Sequence, residues 1–172
     1  MNTPAAPAGI PPRLTGADVS RRTPAFWIAT VGGVGLCPLA PGTAGTLVGM
    51  VLWWLSTHSP HAWIAQACVF LGVYAAGVWA SAETERLLGR HDPSCVVIDE
   101  TAAALLTFFA LPFSWWCAGI GFAFNRVLDV FKPFGISRLQ RLPGGWGIML
   151  DDVAAGLVSA VALRLAIFFI QR

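Results

Sequence analysis

Four stretches of this chain are almost purely apolar, and three polar segments rich in Gly, Pro and charge separate them. Gly45 to Leu55 is short and ends in Trp53-Trp54, a pair expected at a membrane interface. Ala62 to Ala80 has only Gln66 as a strongly polar residue and approaches the ~20 residues that cross a hydrocarbon core. Ala102 to Phe124 is longer but is broken by Leu111-Pro112-Phe113-Ser114-Trp115-Trp116. Proline interrupts helices and Trp favours interfaces, so a hairpin of two short helices is expected here instead of one span. Val153 to Ile170 is the fourth stretch, and its Arg164 is long enough to snorkel toward the far interface.

The polar segments run from Gly32 to Gly45, Ser81 to Thr101 and Asn125 to Asp152. If the first two apolar stretches pair about the His58-Ser59-Pro60-His61 turn, the first two polar segments fall on one face. The broken hairpin then returns the third segment to that face. Arg21, Arg22, Arg86, Arg90, Arg126, Lys132, Arg138 and Arg141 lie in or beside these segments, so the positive-inside rule makes the face cytoplasmic. The expected fold is all-α: a multihelical integral membrane protein with three Gly/Pro/acidic motif segments gathered on the cytoplasmic face.

Composition agrees. Of 172 residues, 56% are hydrophobic and 12% charged, with mean hydropathy +0.66, whereas soluble domains carry about 25% charge. A net charge of +2 without a long basic run argues against nucleic acid as a partner, and no obligate protein partner is indicated. The four cysteines are scattered without a CxxC pair, which favours neither a disulfide framework nor a zinc site. Met1 to Thr23 is Pro/Ala-rich and lacks the apolar core of a secretory signal. It reads as a flexible cytoplasmic tail before a membrane domain at residues 24–172.

Phe124 to Gly156 holds three of the nine acidic residues and four of the eleven Lys/Arg residues, flanked by apolar sequence. Charge is costly beside lipid, so such a cluster points to chemistry, with interfacial helix ends as the plainer alternative. Within it, Arg126, Asp129 and Lys132 recur every third residue and share a helix face. Lys132-Pro133 ends that helix. Gly144-Gly145 and Gly147 then form a flexible turn, and Asp151-Asp152 opens the last helix. Asp99-Glu100 precedes another apolar helix. Acidic residues there suit the helix dipole, but paired carboxylates also suit a hard cation. Gly42-Thr43 leads into a helix whose first N–H groups favour an anion, with Thr43 either joining them or capping the helix. His91-Asp92-Pro93 is explained by an Asp-Pro turn. Two doubly acidic helix starts on the face of Asp129 and Lys132 are hard to credit to independent caps. One shared Mg²⁺ site with phosphate ligands accounts for all of them.

In ordered combination, PLAPGTAGTL, HDPSCVVIDE and NRVLDVFKP…GGWGIMLDDVAAG resemble the motifs of the phosphatidylglycerophosphatase A family, over a region from about Phe26 to the C-terminus. The resemblance implies an all-helical enzyme of the bacterial inner membrane that hydrolyses phosphatidylglycerophosphate to phosphatidylglycerol and phosphate and depends on Mg²⁺. Carried over by position, the functional residues are Thr43, Asp99, Glu100, Arg126, Asp129, Lys132, Asp151 and Asp152. Three positions depart from the family pattern: Ala103 replaces a usual Gly, Gly135 a usual Pro, and Gln140 a common Asp.

These residues suit metal-assisted hydrolysis of a phosphomonoester. Mg²⁺ held by Asp99, Glu100, Asp151 and Asp152 would polarise the phosphoryl oxygens and supply or position the attacking water. Lys132 and Arg126 would offset charge on the transferring and leaving groups, with Thr43 joining them on the phosphate, and Asp129 would be a further ligand or the general base. The sequence has no Cys-x5-Arg loop, Asp-x-Asp motif or suitably paired histidines, so thiolate, aspartyl-phosphate and phosphohistidine routes lack their parts. An ion-coupled transporter or channel component would need its carboxylates inside the spans. A non-catalytic scaffold leaves the acidic pairs unexplained.

Overall fold

A computed structural model describes residues 23–172, so all of the expected tail except Thr23 lies outside the described residues. The described chain forms α1 (Pro24–Ala29), α2 (Pro41–Ser56), α3 (Ala62–Leu88), α4 (Ile98–Thr107), α5 (Trp115–Phe131) and α6 (Gly145–Ile170). Two 3₁₀ segments, Val34–Leu36 and Pro133–Arg141, complete it, and no strand occurs among the described residues. The all-α expectation holds.

Both α3 and α6, of 27 and 26 residues, are long and apolar enough to cross a membrane. Each keeps exposed apolar side chains along its length, among them Trp63, Leu71 and Trp79 on α3 and Leu157, Val161 and Leu165 on α6. The expected third span is indeed two shorter helices, α4 and α5, parted at Pro112. Ser114 starts α5 by accepting the Cys117 N–H at 3.4 Å. At its end, Lys132 turns left-handed (φ 38°) before Pro133. α3 continues eight residues past Ala80 and stops at Gly89, whose φ of 61° suits a glycine C-cap.

At ten residues α4 is too short to span, and it sits between α2 and α6 at the centre of the molecule. Glycine lets its neighbours approach closely. A Cβ on Gly45 or Gly49 of α2 would lie 2.6 Å from the Val97 carbonyl oxygen or 2.5 Å from that of Thr101. One on Gly156 of α6 would lie 2.6 Å from the Ala103 oxygen. Hydroxyls bridge the same seams, Thr101 donating to the Gly45 carbonyl at 2.9 Å and Thr107 to that of Gly156 at 3.3 Å. Small residues with interhelical hydrogen bonds are how helices associate where lipid removes the hydrophobic drive.

Three local expectations need correction. Trp53 is not interfacial: it is fully buried, stacks on Phe108 at 4.3 Å and donates its indole N–H to the Leu111 carbonyl at 3.1 Å. The break between α4 and α5 leaves backbone groups without helical partners, and Trp53 satisfies one of them. Gln66 satisfies another by accepting the Ala110 N–H at 2.6 Å, while Trp54 stays 41% exposed. Second, Asp151-Asp152 does not open α6. The helix begins at Gly145, placing both acids about two turns in, buried, beyond the reach of an N-cap. Third, Gly145 and Gly147 are helical and tightly packed rather than a flexible turn, since a Cβ would overlap the carbonyls of Val78 and Leu142. Gly135, where the family pattern has Pro, has φ 75°, outside the range a proline ring allows.

Candidate active site

All three polar segments meet at one cavity of about 430 Å³. The first contributes Pro41, Gly42 and Thr43, and the second Asp92, Asp99 and Glu100. The third contributes Arg126, Asp129, Lys132, Asp151 and Asp152. Every residue expected at the site from the sequence therefore lines one space.

Asp99 and Glu100 occupy the first turn of α4, and Asp152 reaches them from α6. One carboxylate oxygen from each lies within 4.8 Å of the others. Burial pushes the Asp99 carboxyl well above its ordinary pKa, and the neighbouring charges of Glu100 and then Asp152 push the same way. Glu100 is raised chiefly by burial. Asp99 Oδ1, Glu100 Oε2 and Asp151 Oδ1 are buried without a hydrogen-bond partner. Orphaned oxygens in an all-carboxylate set match the donors a hard divalent cation requires, so these residues fit Mg²⁺ by chemistry.

The cationic half of the site is built by α5. Arg126 Nη1 donates to Asp129 Oδ2 at 3.0 Å and to the Thr46 hydroxyl at 3.2 Å. Lys132 Nζ bonds Asp151 Oδ2, lies 2.8 Å from Asp152 Oδ1 and is 3.8 Å from Asp129 Oδ1. Burial works against the Lys132 ammonium, but the Asp152 charge and the bonds to Asp151 and Asp152 prevail and hold its pKa above the ordinary lysine value. Its left-handed backbone is a sparsely populated conformation for a residue with a side chain.

Thr43 is the third residue of α2, with Ala40 in the cap position, so capping is not its role. Asp151 turns one oxygen to Lys132, and the close carboxylate trio is Asp99, Glu100 and Asp152. Gly42, Thr46 and Asp92 also belong to the site or its support, although the sequence assigns Gly42 only to the approach of a helix and Asp92 to an Asp-Pro turn. A Cβ on Gly42 would overlap the Glu100 carboxylate and lie 3.2 Å from Arg126 Nη2. Thr46 is fully buried, donates to the Gly42 carbonyl at 3.0 Å and accepts from Arg126; its three-residue spacing from Thr43 was the available signal. Asp92 accepts from Gln140 Nε2 at 2.6 Å, joining the second and third segments beside the cavity.

The family model of phosphatidylglycerophosphatase A matches residues 27–167. The chain belongs to that family. Its motifs had pointed there, and with membership comes the family's phosphatase activity. Phosphatidylglycerophosphatase A of Escherichia coli is 38% identical over 130 residues, covering 74% of each chain. That of Haemophilus influenzae is 32% identical over 151 residues, 84% of this chain and 90% of the relative. A Bacteroides thetaiotaomicron protein provisionally named a phosphatidylinositol-3-phosphatase is 34% identical over 155 residues, 84% of this chain and 96% of the relative. No solved structure matches.

Proposed function

We propose that this cavity hydrolyses the terminal phosphomonoester of phosphatidylglycerophosphate, releasing phosphatidylglycerol and phosphate, with Mg²⁺ as cofactor. The observation that carries the reading is a carboxylate trio, of which Asp99 and Glu100 each keep a buried oxygen without a hydrogen-bond partner, set beside Lys132 and Arg126 around one cavity. Asp99, Glu100 and Asp152 would hold the cation, with the free oxygen of Asp151 as a fourth donor. When bound, Mg²⁺ supplies polarisation of a phosphoryl oxygen and a lowered pKa for the attacking water.

The remaining work belongs to the chain. Lys132 and Arg126 place fixed positive charge where the transferring phosphoryl group carries negative charge, which suits a reaction governed by positioning and electrostatics. Asp151 holds Lys132 in place. Asp129, already shared between Arg126 and Lys132, accepts the proton of the attacking water. Thr43 and the unpaired N–H groups at the start of α2 receive phosphate oxygens. Arg86, Arg90, Arg126, Lys132, Arg138 and Arg141 lie in or beside the segments that build the site, which by the positive-inside rule supports a site on the cytoplasmic side of a bacterial inner membrane, with α3 and α6 as its candidate spans. Family membership, more than the position of the carboxylates, argues against an ion-coupled transporter.

The test is phosphate release by the purified protein in detergent, with and without Mg²⁺. Phosphatidylglycerophosphate and phosphatidylinositol 3-phosphate would be offered separately, because one relative is named for the second lipid. Faster release from phosphatidylglycerophosphate, abolished by chelation and restored by Mg²⁺, is expected. Preference for the inositol lipid would reassign the substrate, and turnover indifferent to chelator would remove the cofactor.

A further inference from the structure

The helices proposed to grip the phosphate, α2 and α5, part beyond the site to form a second cavity of about 490 Å³. Leu47, Val51 and Trp54 line it from α2, Trp115 and Ala118 from α5, and Phe113 from the break before α5. These walls are hydrocarbon and aromatic ring. Leu47 and Val51 are each 50% exposed and Trp115 83%, so the groove is open along its length. It begins one helical turn beyond Thr43, and the Thr46–Arg126 hydrogen bond of 3.2 Å spans α2 and α5 where cavity gives way to groove. From Leu47 to Trp54 it follows α2 for about 10 Å at 1.5 Å per residue.

We infer that this groove holds an acyl chain of the same lipid whose terminal phosphate enters the acidic cavity. The inference rests on the phosphatase reading above. Apolar surface on a membrane helix needs no special occupant, since any lipid tail solvates it. Three features set this groove apart: it is concave, it has a fixed floor, and it adjoins the site. The floor is Trp53, held by its stack on Phe108 and its hydrogen bond to Leu111, so the shape exists before a ligand arrives. The adjacency matters because a phospholipid phosphatase must take a substrate that is polar at one end and hydrocarbon at the other. Phosphate-gripping side chains and an apolar trough on the same two helices match both ends. The groove is built before ligand arrives and lies away from phosphorus, so we take its contact with the chain as uniform across ground and transition states, which places its effect in KM and leaves kcat unchanged.

The test compares dipalmitoyl with dihexanoyl phosphatidylglycerophosphate, using the full-length protein and the groove-filling variants Val51→Trp and Ala118→Phe. The expected result is a rise of about tenfold or more in KM for the long-chain lipid, from loss of a few buried methylenes, with kcat and the short-chain KM unchanged. A wild-type experiment guards against misfolded variants: a phosphatidylglycerophosphate with a photoreactive group in its acyl chain should label residues between Leu47 and Trp54 or between Phe113 and Ala118. Labelling confined to other helices, KM shifts equal for both lipids, or crosslinking of this groove to a second copy of the chain would overturn the assignment. Phosphate release from neither lipid by the wild type would instead remove the phosphatase reading, and the groove's role with it.

Discussion

Gly42 is the most economical place to probe the site, because the perturbation there is a single methyl group. Its Cβ would overlap the Glu100 carboxylate, lie 3.2 Å from Glu100 Cδ and lie 3.2 Å from Arg126 Nη2. Retreat of α2 would forfeit the close packing of Gly45 and Gly49 and the 2.9 Å hydrogen bond from Thr101 to the Gly45 carbonyl, so the side chain is the softer partner. The carboxylate must therefore give way, by about 1 Å to reach ordinary contact, and a displacement of that size can lower a rate about 10²-fold. In Gly42→Ala, kcat for phosphatidylglycerophosphate should fall by that order and the Mg²⁺ concentration for half-maximal rate should rise. An alanine inside a helix is otherwise favourable, so helix content and thermal midpoint should match the wild type. Gly42→Ala with normal turnover at limiting Mg²⁺ would refute the placement of Glu100 in the site.

Four further outcomes are expected. Asp152→Asn removes one charge from the carboxylate trio and should reduce activity on the order of 10²-fold or more with helix content intact; near-normal turnover at limiting Mg²⁺ would exclude Asp152 as a ligand. With the native cysteines removed, Arg138→Cys should resist a membrane-impermeant thiol reagent in intact cells while His61→Cys reacts, and the opposite pattern would invert the topology. Because no carboxylate is assigned as nucleophile, a chiral thiophosphate substrate should be inverted at phosphorus after one turnover; retention would turn one of the acids into a nucleophile. Trp53→Ala should destabilise the protein by about 3–5 kcal/mol, the range for emptying a large buried site, and an unchanged unfolding midpoint would show that the Trp53–Phe108 stack is dispensable.

Much of this was legible in the sequence. Pro112 and the Lys132-Pro133 pair mark real helix boundaries, because a missing N–H acts on the backbone whatever surrounds it. Asp99, Glu100, Arg126, Asp129, Lys132, Asp151 and Asp152 stand out as charge in apolar sequence, and all line the cavity, whereas Asp92 looks like part of an Asp-Pro turn. What escaped depended on neighbours distant in sequence. Gly144-Gly145 and Gly147 read as flexibility, yet Gly145 and Gly147 are helical because the Val78 and Leu142 carbonyls leave no room for a side chain. Trp53 read as interfacial because nothing local shows that the Leu111 carbonyl, 58 residues away, needs a donor. The apolar run of α3 ends at Ala80 because the side chains from Ser81 to Glu85 are mostly polar, while its helix continues to Leu88.

The glycine seams around α4 have a consequence for handling this enzyme. Its carboxylate trio is divided between α4 and α6, and those helices meet through Gly156, backbone and hydroxyls, with little side-chain bulk to cushion a shift. A detergent that lets the two helices slide slightly apart would leave every intrahelical hydrogen bond intact while widening the distance between Asp152 and Asp99. Inactivation during solubilisation should therefore precede any loss of circular dichroism, beginning with weaker cation affinity. Excess Mg²⁺ during extraction should delay it by tying α4 to α6 through the ligands they share.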